Sequence, residues 1–220
     1  PDTDIDEREE NLSKAYKRLS KKTNSLGEDI EYEIRNLVRK GKNELEDIVD
    51  ASCQRMKEII HNEWSRMKSF DSVEPKLNAE IQSLLTRKLK RAVENIAEEG
   101  KRKINRCTED YFADVEDLLM RYLPDFDSRA FVKSIRNSVQ MDLADNDLFV
   151  FESGCDEMNY GFGDAVWDFL DGASFGVLGL AGNLLSHGKQ VAQVEERINS
   201  ISSDFDAQPF LESAFQRKDA

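Results

Sequence analysis

The sequence predicts an all-α protein: an elongated antiparallel helical bundle built on a long helical hairpin, with a glycine-rich apolar helical segment near the C-terminus. Three observations carry that expectation. Apolar or small residues recur in steps of four and three from Ile30 to Met67, and again from Leu77 to Tyr122. That spacing turns one helical face toward a partner along its whole length. Between Glu28 and Glu99 the only helix breakers are Gly41 and Pro75. Finally, 34% of residues are charged against 39% hydrophobic, which suits narrow helices with much solvated surface better than a thick globule.

The elements follow in order. Residues 1–11 are polar and expected to fray, and a helical lead-in over 1–27 starts near Asn11 or Leu12. It carries Leu12, Ala15, Tyr16, Leu19 and Thr23 before a weak point at Ser25–Gly27. The hairpin spans 28–122. Its first arm, about Glu28 to Lys68, presents Ile30, Ile34, Leu37, Gly41, Leu45, Ile48, Ser52, Met56, Ile59, Glu63 and Met67. The stretch from Ser69 to Pro75 reads as the turn, with Asp71 or Ser72 as cap, because proline disfavours helix at the residue before it. The second arm, about Pro75 to Tyr122, presents Leu77, Ile81, Leu84 or Leu85, Lys88 or Leu89, Ala92, Ile96, Gly100, Ile104, Cys107, Tyr111, Val115, Leu118 and Tyr122. At about 1.5 Å per residue each arm would span roughly 60–70 Å. The short link makes antiparallel pairing the default.

Residues 123–163 form an acidic helix and loop. Asp127 or Ser128 offers an N-cap to a helix whose apolar row is Phe131, Ile135 and Val139, and periodicity fails from Asp145 to Gly163. Residues 164–187 are the glycine-rich apolar segment. Ala173 to Leu185 holds no charge and places Gly176, Gly179 and Gly182 three residues apart, a spacing that permits close backbone approach. It is shorter than the roughly 20 residues a bilayer crossing needs. Residues 188–220 are a returning amphipathic helix with Val191, Val194, Ile198 and Ile201, then a tail whose Phe205, Phe210, Leu211 and Phe215 dock on a core.

The net charge of −13 is unevenly placed: +1 over residues 1–107, −12 over 108–172 and −2 over 173–220. An acidic total excludes simple binding to a phosphate backbone, hence no nucleic-acid partner. The −12 block is a solvated face or a docking surface for a basic partner. Cys53, Cys107 and Cys155 lie far apart, which predicts a reduced, intracellular chain with Cys53 and Cys107 as small core residues. Residues 1–10 lack a basic start followed by an apolar run, so no signal peptide is expected. The first residue, Pro1, reads as the start of a piece excised from something longer. The expected location is cytoplasmic, with peripheral membrane contact.

Catalytic chemistry is sought and not found. Gly182 to Gln190 looks like a phosphate-binding loop, but five residues separate Gly182 from Gly188 and Gln190 stands where a hydroxyl should bind magnesium. His61 and His187 are far apart, and Asp142, Asp145 and Asp147 lack the glycine turn and bidentate glutamate of a calcium loop. The reading is therefore no enzyme, no metal and no cofactor. The cations Lys76, Arg87, Lys88, Lys90, Arg91, Lys101, Arg102, Lys103 and Arg106 are expected to pair across the hairpin with acidic neighbours such as Glu44, Glu46, Asp47 and Glu58, or else to attract anionic lipid or an acidic segment of a neighbour.

Taken together, the stripes Ile30–Met67 and Leu77–Tyr122, the apolar Ala173–Leu185 and the helix Val191–Ile201 resemble the helical trunk of bacterial dynamin-like GTPases. The resemblance implies a non-catalytic stalk that self-associates, with a GTPase head outside residues 1–220 and an apolar tip for membrane lipid. Trp167, Phe169, Phe175, Leu178, Leu180 and Leu184 would be the membrane or partner contacts. The competing reading is a coiled-coil protein-interaction module or effector that docks through its acidic 108–172 region.

Overall fold

In the computed structural model, the described residues are 2–64, 72–145, 187–208 and 211. They form five α-helices and no strand: α1 (Asp2–Ile59), α2 (Glu74–Ser83), α3 (Lys90–Tyr122), α4 (Ser128–Asp145) and α5 (His187–Asp204). π-helical turns follow α1 at Ile60–Trp64 and join α2 to α3 at Leu84–Leu89. The all-α bundle read from periodicity is the observed fold class. The chain divides into two compact units, the first containing described residues 2–37 and 97–145, the second 38–64, 72–96, 187–208 and 211.

Helix α1 is longer and less interrupted than expected. It starts at Asp2, where fraying was predicted, and passes Ser25–Gly27 without a break. No glycine among the described residues takes a positive φ, so Gly27 is an ordinary helical residue here. It costs about 1 kcal/mol relative to alanine, too little to break a helix supported on both sides. A Cβ at Gly27 would meet nothing within 4 Å. Gly27→Ala should therefore stabilise the protein by about 0.5–1 kcal/mol, read as a higher thermal midpoint. Gly41 is the opposite case, since its Cβ would lie 2.8 Å from Leu211 Cδ2 and 2.9 Å from Ile96 Cδ1. Both neighbours are almost fully buried. Overpacking of about 1–3 kcal/mol then exceeds the propensity gain, so Gly41→Ala should lower the midpoint in the same assay.

The second unit holds the larger core. Leu45, Val49, Cys53, Met56, Ile60 and Trp64 line one side of α1 and its π turn. Leu77, Ile81, Leu89, Val93 and Ile96 face them from α2 through α3, and Val194, Ile198 and Ile201 close the third side from α5. Phe205 and Leu211 dock on this core as expected. Phe210 and Phe215 lie outside the described residues.

Two departures from the expected stripes involve the π turns. The deep positions are Val49, Ile60 and Trp64, while Ile48, Ile59 and Glu63 are half-buried. The shift is already present at Val49 in regular helix, and the π turn at Ile60–Trp64, which spends an extra residue per turn, carries it on to Trp64. On the other arm the π turn at 84–89 buries Leu84, Leu85 and Leu89 together, settling the alternatives left open by period alone. Lys88 instead reaches across to Ser52 Oγ at 2.9 Å and to the Glu80 carboxylate, which satisfies the fully buried Ser52 hydroxyl.

The cap of α2 also differs from expectation. It is Val73 rather than Asp71 or Ser72, and no side chain caps it. The Val73 carbonyl accepts from the Lys76 and Leu77 amides at 3.0 and 3.1 Å. Pro75 has no amide to satisfy, which leaves one fewer orphan donor in the first turn.

In the first unit α1 and α3 run antiparallel: Lys22 pairs with Asp114, Thr23 Oγ lies 2.9 Å from the Tyr111 hydroxyl, and Glu33 accepts from Lys103 at 2.6 Å. Helix α4 returns along α3, tied by Arg129–Glu116 at 3.2 Å and Arg136–Glu109 at 3.1 Å. The shared core is small: Phe112, Val115, Leu119 and Val132, with Leu19, Tyr111 and Leu123 against it.

Candidate functional site

The six contacts expected at Trp167, Phe169, Phe175, Leu178, Leu180 and Leu184 lie outside the described residues. No helix among the described residues is long and apolar enough to cross a membrane. None of their His, Cys, Asp and Glu groups cluster in a way that could hold a metal ion.

The cysteines behave as core residues more than as nucleophiles. Burial, then the charge of Asp50, pushes the Cys53 thiol up to about 11. Cys107 is half-buried and is also raised, by burial first and then by Glu33, Asp29 and Asp110. A raised acid is neutral when folded, so any stability tied to the Cys53 thiol is intact below about pH 9 and is lost as pH rises toward about 11. At neutral pH, iodoacetamide should modify Cys107 well before Cys53 in the native chain, as peptide mapping by mass spectrometry would show.

Among the described residues, two of the nine cations expected to pair across the hairpin form ion pairs to another helical segment, and with other partners than those expected. Lys76 pairs with Glu63 at 2.6 Å and Lys103 with Glu33. Glu46 and Glu58 pair instead within α1, with Lys42 and Arg55. Which carboxylate meets which lysine depends on the antiparallel register, which charge counting does not fix.

What stands out is a corner of the first unit. Helix α3 ends in a turn in which the Phe126 amide donates to Leu123 O at 3.0 Å and the Ser128 amide to Phe126 O at 2.7 Å. Asp127 then caps α4, its Oδ1 accepting from the Ala130 amide at 3.0 Å. The rotation of α4 corrects the sequence reading. Val132 points inward, while Phe131 and Ile135 are 44% and 37% exposed. The inward row continues to Arg136, whose guanidinium lies over the Phe112 ring at 5.7 Å while it pairs with Glu109. A charged residue can thus occupy a place that an apolar pattern assigns to isoleucine.

Phe126 meets Phe131 edge-on at 5.3 Å. Beside them the first turns of α1 and the 122–126 turn enclose an open groove of about 600 Å³. Its apolar lining includes Ile5, Leu12, Leu123 and Phe126, and its charged lining Glu7, Glu9 and Asp125 with Arg8. Ile5 and Leu12 are 58% and 57% exposed, and Tyr16 further along α1 is 72% exposed. Periodicity alone could have found half of this site, because Ile5, Leu12 and Leu19 recur at intervals of seven.

No family model matches the chain, and no curated protein or solved structure shows significant similarity to it.

Proposed function

We propose that the chain is a non-catalytic helical docking module that engages a protein partner through the corner formed by the start of α1, the 122–127 turn and the start of α4. The observation that carries this is that Ile5, Leu12 and Phe126, three of the eight large apolar side chains exposed among the described residues of the first unit, line one groove, with Phe131 packed against Phe126 beside it. Exposed apolar groups gathered around a groove mark interaction surfaces, whereas scattered ones do not. Much of this corner falls in the acidic 108–172 block, which supports the docking reading over a purely solvating role for that charge. A stalk of the dynamin-like kind with a membrane tip remains a separate proposal resting on residues 173–185. Liposome co-sedimentation with Leu178→Asp and Leu180→Asp tests it, and equal pelleting of all three chains would end it.

The docking role is tested with a photo-crosslinking residue in place of Tyr16, in the full chain expressed in its native cell. A discrete adduct that Leu12→Glu and Phe126→Glu abolish is the expected result. Both positions are exposed, so neither change should move the thermal midpoint by more than about 0.5 kcal/mol in stability. No adduct, or one indifferent to both substitutions, would refute docking at this corner.

A further inference from the structure

Resting on that docking role, the geometry points to one kind of occupant for the groove: a basic amphipathic helix presented by a partner protein. Three features select it. The first is shape. Ile5, Leu12 and Tyr16 stand seven and four residues apart on α1, so they form a ridge on one helical face. A ridge of that spacing packs into the grooves of another helix rather than onto an extended strand. The second is volume: the groove beside this ridge holds about 600 Å³ and is lined by Leu123, Pro124 and Phe126 in addition to Ile5 and Leu12, room for large aliphatic anchors.

The third feature is charge. Residues 1–12 carry six carboxylates and one arginine, and the groove's charged lining, Glu7, Glu9 and Asp125 against the single Arg8, is exposed and net acidic. Lysines or arginines flanking the apolar anchors of an incoming helix would meet those carboxylates and speed encounter. The same charge disfavours the other candidates. An anionic lipid surface would be repelled by the acidic start of α1. A second copy docked by two-fold symmetry would set like carboxylates against one another.

The probe is a fluorescein-labelled synthetic helix of leucine and lysine, with leucines spaced at i, i+4, i+7 and i+11. It is titrated into the full chain and followed by anisotropy. Alongside it run a scrambled peptide of the same composition and a counterpart with glutamate in place of lysine. The amphipathic lysine helix should bind at least about tenfold tighter than either control, and Leu12→Glu and Phe126→Glu should each weaken it about tenfold. Added salt should weaken it further. Equal binding of the scrambled peptide, or unchanged binding by both variants, would overturn the assignment. So would Leu12-dependent pelleting with phosphatidylserine vesicles, or Leu12-dependent dimerisation in sedimentation equilibrium, each of which names a different occupant. If the peptide fails while the Tyr16 adduct persists, docking stands and the basic helix falls; if both fail, the docking role falls too.

Discussion

Replacing Trp64 with alanine should destabilise the second unit by about 3–5 kcal/mol, while replacing its neighbour Glu63 with alanine should cost no more than about 1 kcal/mol. Trp64 is the largest fully buried side chain described, and it belongs to the continuous cluster that joins α1, the 73–96 arm and α5. Glu63 sits one position earlier and pairs with Lys76, whose side chain is 54% exposed, so solvent screens most of that attraction. A simple helical stripe would reverse the order, because steps of four and three from Met56 arrive at Ile59 and Glu63. The pair of substitutions thus tests whether Trp64 rather than Glu63 is the deep position. Urea unfolding followed by circular dichroism provides the measurement. A Glu63→Ala loss equal to that of Trp64→Ala would mean that Trp64 is not the deeper of the two in this core.

The same contrast shows which parts of this fold periodicity can disclose. The helical arms on either side of Pro75 and the returning helix with Val194, Ile198 and Ile201 were legible because each rests on many residues voting for one period. Local departures were not. A π turn changes the face by one residue at small energetic cost, and nothing in Ile59-Ile60-His61 states which isoleucine is deep. The glycine at 27 was overrated as a breaker because its cost of about 1 kcal/mol is small beside the packing of a long helix.

The candidate site was half hidden for a different reason. A hydrophobic row shows which residues share a face, and it does not say whether that face is covered. Phe131 and Ile135 form a proper row, yet Val132 and Arg136 take the inner side of α4 against Phe112 and Glu109. The start of α1 was hidden by its own composition. Six carboxylates among twelve residues read as a solvated tail, although acidic side chains at a helix start are stabilised by the helix dipole. That stabilisation is what lets Ile5 and Leu12 be held in place, exposed, on an ordered helix.

Ile198→Asp should bring the second expected collapse, with a loss above about 4 kcal/mol. Ile198 is fully buried on α5, among Val194 and Ile201 and in one cluster with the cores of both hairpin arms. A carboxylate there has no cation among the core residues to meet it, and it must either ionise in an apolar site or take up a proton to avoid doing so. The direction with pH follows from that. Burial raises the new carboxyl group above its unfolded value, so the penalty should be smallest in acid and should grow as pH rises through the unfolded carboxylate range. Glu196→Lys, two residues away and exposed, is the matching control and should change stability by less than about 0.5 kcal/mol. Limited trypsin digestion separates two ways of failing. Lys189 and Arg197 both lie on α5, so rapid cleavage confined to those sites would mean that α5 detaches from a hairpin that persists. The shared core predicts the other outcome: cleavage at Lys57 and Lys90 on the hairpin arms should rise in step with α5, because Ile198 fills the space between them and neither arm keeps its apolar face covered once that space is lost.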